Sequence, residues 1–191
     1  MSDSLSPPPA AALPFVYPLD DFYARAGLRL PNFERLSGEQ VPEPYRSLLV
    51  HENDMTPTLQ RFHEAEIHLQ ILGRARRDDF YFREVVLQLD GSNQPVEFGA
   101  IKVGLALFPP KARHTILEEH LPLGRILKDC DIAHSTVVKA FFRVEADELI
   151  CRALNLPPST VSLYGRRANI LDTQKRPLSE IVEILPPINP S

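Results

Sequence analysis

Between Glu66 and Leu107 apolar and polar positions alternate with a period of two, the mark of strands with one face turned to a core. Ile67, Leu69 and Ile71 share a face of a strand over about 66–76. A second run, Asp79 to Asp90, is rich in aromatic and β-branched residues and stops at the turn signal Asp90-Gly91-Ser92-Asn93. Its alternation puts Phe80, Phe82, Glu84, Val86 and Gln88 on one face, and Tyr81, Arg83, Val85, Leu87 and Leu89 on the other. A third run follows over 95–107, so the three form an antiparallel meander. Gly99 and Gly104 inside it mark a bulge or a close approach of other atoms.

Helical spacing takes over elsewhere. Asn53 to His63 has cap-forming residues followed by Met55, Leu59 and Phe62 on one stripe. Short helices are predicted over 18–27, ending at Gly27, and over 44–51, entered through Pro44, with 28–43 read as a surface loop. After the meander, 109–119 is mixed and 121–128 reads as a short helix entered through proline. A strand over 134–145 has Val137, Phe141 and Phe142 as core positions; a helical turn or two over 146–155 and closing strands over 160–171 and 177–185 follow. The order is helix, three strands, helix, three strands. It predicts an α+β fold in which two similar halves share one continuous antiparallel sheet of about six strands.

Composition narrows the function classes. Of the 191 residues, 1–14 are rich in Ser, Pro and Ala and read as a disordered tail, leaving 15–191 as a single domain. The net charge of -4 gives no general pull towards nucleic acid or anionic lipid, so any anion site must be local. The first residues lack a basic region and an unbroken apolar core, and no apolar run is long enough to cross a bilayer, so a cytoplasmic protein is expected. Cys130 and Cys151 form no CxxC pair and read as free thiols.

Most recognised chemistries find no footing. The six histidines form no HExxH or closed ligand set, and the loose cluster His63, Glu64, Glu66, His68 reads as a solvated corner, so no metal is expected. There is no GxSxG elbow, no cysteine in a nucleophile context and no phosphate loop. Arg83 stands apart because it shares a face with four apolar residues. A buried arginine needs a partner, either a protein carboxylate or an anionic ligand. Arg166 and Arg167 sit in a later strand, at least one of them expected to face solvent. Glu180 and Glu183 are three apart on the last strand and so point to opposite faces; only one can face the core. A buried glutamate there would suit acid–base work.

In order, Asp54-Met55-Thr56, Phe82-Arg83-Glu84-Val85, Pro122-Leu123-Gly124, Tyr164-Gly165-Arg166-Arg167 and Val182-Glu183-Ile184-Leu185-Pro186 resemble the chorismate pyruvate-lyase family, over roughly residues 46–187. The closer likeness is to its divergent, chorismate lyase-like branch. The resemblance implies a six-stranded antiparallel sheet with helices covering one face. It implies cofactor-free conversion of chorismate to 4-hydroxybenzoate and pyruvate, a carbon–oxygen lyase reaction needing no metal. It implies Arg83 and Glu183 as catalytic groups, Arg83 on the ring carboxylate and Glu183 at the ring hydroxyl, with Glu180 as the substitute if the alignment slips. Met55, Thr56, Leu123, Gly124 and Arg166 complete the implied substrate contacts, under helical flaps around 54–63 and 110–128. The expected partner is a small aromatic acid, with no nucleic acid, no membrane and a monomeric chain. The rival reading is a non-catalytic effector-sensing domain of the same fold, as in some bacterial transcription regulators. An enzyme acting on another chorismate-like compound is a third.

Overall fold

The computed structural model describes residues 15–160 and 162–188; the tail expected over 1–14 lies outside them. Seven strands form one antiparallel sheet: β1 (Phe33–Leu36), β2 (Ile67–Arg77), β3 (Phe80–Leu89), β4 (Pro95–Gly104), β5 (His134–Glu145), β6 (Ser162–Asp172) and β7 (Pro177–Leu185). Their spatial order is β1-β5-β6-β7-β4-β3-β2. The meander β2-β3-β4 and the meander β5-β6-β7 therefore meet at the β4–β7 pair, as the two-halves reading of the chain requires. The helices are α1 (Leu19–Arg25), α2 (Tyr45–Leu49), α3 (Met55–His63), α4 (Pro110–Glu118), α5 (Leu123–Asp129) and α6 (Glu148–Ala153).

Two of these elements were not evident from the pattern. Strand β1 lies inside the stretch read as loop, where Phe33 to Leu36 pair with Val144 to Phe141. Four residues are too few for alternation to show; packing holds the strand, with the Phe33 ring edge-on to Phe142 at 5.2 Å. Helix α4 forms in the mixed segment because Pro110 stands in its first turn and Ala112 and Ile116, one turn apart, are both fully buried.

Both faces of the central strands are covered. One face, carrying Phe82, Val86, Phe98, Val182 and Ile184, packs against α1 and α6 through Leu19, Phe22, Tyr23 and Ile150. The other face supports α2 to α5, whose Leu49, Met55, Leu59, Ile116, Leu123 and Ile126 close over it. The expected covering of one face is met by α2–α5, and α1 with α6 adds a thinner layer opposite. No described helix is long and apolar enough to cross a membrane. Cys130 and Cys151 form no disulfide.

Gly99 is a close-approach position and not a bulge. It pairs in register with Val85 and Glu183, and a Cβ there would stand 2.1 Å from the Val182 carbonyl oxygen. Gly99→Ala should push β4 and β7 apart at the join of the two halves and destabilise by about 1–3 kcal/mol or more. A urea midpoint equal to wild type would contradict this close packing.

Candidate functional site

The site lies on the sheet face beneath α2 to α5. On β3, Arg83 stands opposite Ile101 of β4. One step along the face, Val85, Gly99, Glu183 and Arg166 follow one another across β3, β4, β7 and β6. Above them, Asp54, Met55 and Thr56 open α3, and Pro122, Leu123 and Gly124 open α5. The two helix starts touch: a Cβ on Gly124 would sit 3.2 Å from Thr56 Oγ1, so glycine lets them pass closely. Together these residues line one cavity of about 580 Å³ of free space, its mouth included. The catalytic and substrate-contact residues that the resemblance implies (Arg83, Glu183, Met55, Thr56, Leu123, Gly124 and Arg166) all border it.

Arg83 is 2% exposed, and its Nε and Nη1 atoms have no hydrogen-bond partner among the described residues. Burial pulls its pKa down to about 10, with the Tyr81 and Glu119 side chains opposing, so it stays cationic at neutral pH. Glu119, just past α4, is itself engaged: it accepts from the Tyr81 hydroxyl at 2.5 Å and forms an ion pair with Arg74. No protein carboxylate is in salt-bridge contact with Arg83 among the described residues. Arg83 borders the cavity.

Arg166 is arranged differently. Its Nε donates to Glu183 at 2.5 Å, Nη1 donates to the His51 carbonyl at 3.0 Å, and Nη2 donates to the Asn53 carbonyl at 3.0 Å. The side chain is 1% exposed and ties the link between α2 and α3 to the sheet. It therefore braces the cavity wall and also lines the cavity. Neither Arg166 nor Arg167 is solvent-facing, contrary to expectation. Arg167 points to the opposite face and donates to Glu180 at 3.0 Å, and Glu180 also accepts from Lys102 at 2.9 Å. The alternation thus resolves as Glu183 towards the cavity and Glu180 away from it.

One cavity residue went unnoticed in the sequence. Glu97 is 5% exposed and lines the cavity, and its Oε2 has no partner among the described residues. Burial and the nearby Glu183 charge push its carboxyl well above the usual range, against the lowering effect of Arg166. The signal was available: alternation places Glu97 on the same face as Gly99 and Ile101.

Asp54 has the N-cap position of α3 but makes no side-chain cap. Its carboxylate accepts from Thr136 Oγ1 at 2.6 Å and meets His134 Nε2 at 2.7 Å, which pins the start of α3 to β5. Burial works against a proton on His134, but the Ile132 carbonyl and Asp54 outweigh it and raise the pKa. The first-turn amides of α3, which have no intrahelical acceptor, are left uncapped beside the cavity. No group of three or more His, Cys, Asp or Glu side chains among the described residues could hold a metal ion.

No protein-family profile matches the chain, and no curated protein does. Solved structures share the fold. PhnF from Mycobacterium smegmatis aligns at TM-score 0.55 and 12% identity over 87% of this chain and 92% of its own. The effector domain of PhnF aligns at TM-score 0.51 and 13% identity over 69% of this chain and 87% of its own. A transcriptional regulator of the GntR family from Bacillus cereus aligns more loosely, at TM-score 0.46 and 14% identity over 64% of this chain and 93% of its own. The expected carbon–oxygen lyase is corrected by these neighbours: where the description of a structure with this fold states a role, it is that of an effector domain. In the site, Glu183 forms an ion pair with Arg166 through Oε2. What the comparisons establish is the architecture: a chorismate lyase-like α+β fold with a single antiparallel sheet.

Proposed function

We propose that this chain is a ligand-binding, effector-sensing domain for a small organic acid, with an aromatic carboxylate as the first candidate. Arg83 receives the carboxylate. The starts of α3 and α5, through Met55, Thr56, Leu123 and Gly124, close over the ring, and Val85, Leu87, Ile101 and Ile170 supply its apolar bed. The observation that carries this reading is a fully buried arginine with orphaned N–H groups at a cavity and no carboxylate of its own. A buried guanidinium without a counter-ion is costly, and a planar carboxylate offers it two parallel hydrogen bonds. The effector-domain description of one structure with this fold supports the same reading.

Titration calorimetry with 4-hydroxybenzoate, beside the uncharged 4-hydroxybenzyl alcohol, tests it. The acid should bind and raise the melting temperature as its concentration exceeds the Kd, while the alcohol should do neither. Equal binding of both compounds, or no binding of the acid, would refute a carboxylate site at Arg83.

A further inference from the structure

At the end of the cavity away from Arg83 stand two buried carboxylates, and only one of them, Glu183, is paired with the Arg166 guanidinium. Arg166 is in contact with Glu183 and gives its other N–H groups to the carbonyls of His51 and Asn53. Glu183 is therefore engaged through Oε2. Glu97, lining the same cavity, is left with an unpartnered Oε2. Strand register fixes where it lies: Glu97 opposes Leu87, and Arg83 opposes Ile101, on adjacent strands and on one face. The two side chains rise four residues apart along that face, roughly 14 Å at strand spacing. That is the spacing of the Cα positions, from which both side chains reach the cavity, and a ring with one polar substituent at either end offers a group to each.

We infer that Glu97 is a specificity-determining residue of this site, accepting a hydrogen bond from a hydroxyl or amino group at the ligand's end remote from its carboxylate. The inference rests on the ligand-binding reading and adds the ligand's second polar end. If Glu97 were ionised beside Glu183, two negative charges would face one guanidinium. Burial favours the protonated form, and Oε2 has no partner among the described residues. A ligand hydroxyl satisfies that oxygen, whereas a methyl group of the same size leaves it orphaned, and sites built to pair a polar group reject analogues lacking it. The motif resemblance implies Glu183 at the ring hydroxyl; Glu97, with its unpartnered Oε2 on the same cavity, adds a second acceptor at that end.

The test compares 4-hydroxybenzoate, 4-methylbenzoate and 4-methoxybenzoate by calorimetry. Wild type should prefer the hydroxy acid over the methyl acid by about tenfold or more, with the methoxy acid, which has no donor, no better than the methyl acid. Glu97→Met keeps the side-chain length and removes both oxygens; it should cut that preference to about threefold or less and leave the methyl acid bound. Glu97→Gln retains one acceptor oxygen and should give an intermediate preference, which decides the matter should the methionine variant fail to melt cooperatively. An unchanged preference in either variant, or a wild type that favours the methoxy acid, overturns the role of Glu97. Equal binding of all three acids, still dependent on Arg83, overturns Glu97 alone. Binding of none of them removes the ligand-binding reading as well.

Discussion

Arg83→Met is expected to abolish aromatic-acid binding while leaving the empty protein as stable as wild type or more stable. Two charge-assisted hydrogen bonds to one carboxylate contribute about 3 kcal/mol or more, so affinity should fall by at least about a hundredfold. Stability should move the other way. The guanidinium is 2% exposed, and among the described residues it has no carboxylate in contact and two nitrogens unpaired. Methionine fills much of the same volume with no desolvation cost, and exchanging buried charge for packed apolar atoms is neutral or stabilising by about 1–4 kcal/mol. Calorimetry and urea unfolding on the same variant read both effects. A variant that still binds, or one that loses several kcal/mol of stability, would make Arg83 a structural residue.

Arg166→Met should behave in the opposite manner. That guanidinium neutralises Glu183 and satisfies the carbonyls of His51 and Asn53. Removing it strands a buried carboxylate next to Glu97 and frees the link between α2 and α3. Breaking a buried pair from one side costs about 3–5 kcal/mol, a large share of the stability of a domain this size. Urea unfolding should show the loss with no ligand present, and a midpoint within error of wild type would show that the pair does not hold the sheet to its helical cover. The contrast between the two substitutions separates an arginine that waits for a ligand from one that holds the fold. Both are buried, and both sit in strands on the same face.

The difference between those arginines was only half legible beforehand. Arg83 announced itself because long apolar alternation surrounds it, and a period of two leaves little freedom about which face it shares. For Arg166 and Arg167 the pattern predicts that at least one faces solvent, and it misses the tie of Arg166 to the helices because the carbonyls that engage it come from residues 51 and 53, more than a hundred positions away. Glu97 was passed over in a run rich in apolar residues and glycine, where one glutamate draws no attention until its depth is known. Strand β1 escaped because an edge strand of four residues carries too little alternation. Helix α4 escaped because its apolar stripe is only two residues wide.

Local periodicity alone determined the α+β class, the two meanders, the face that Arg83 occupies and the rule that only one of Glu180 and Glu183 could point inward. These follow from backbone geometry, which repeats every two residues in a strand and every 3.6 in a helix regardless of what lies across the fold. Tertiary structure alone decided which carboxylate has which partner. Glu180 meets Lys102 and Arg167 on one face, Glu183 meets Arg166 on the other, and Glu97 and Arg83 are left facing a cavity. Charge pairing is set by distances of a few ångströms between strands far apart in the chain, and those distances exist only once β4 and β7 have joined the two halves.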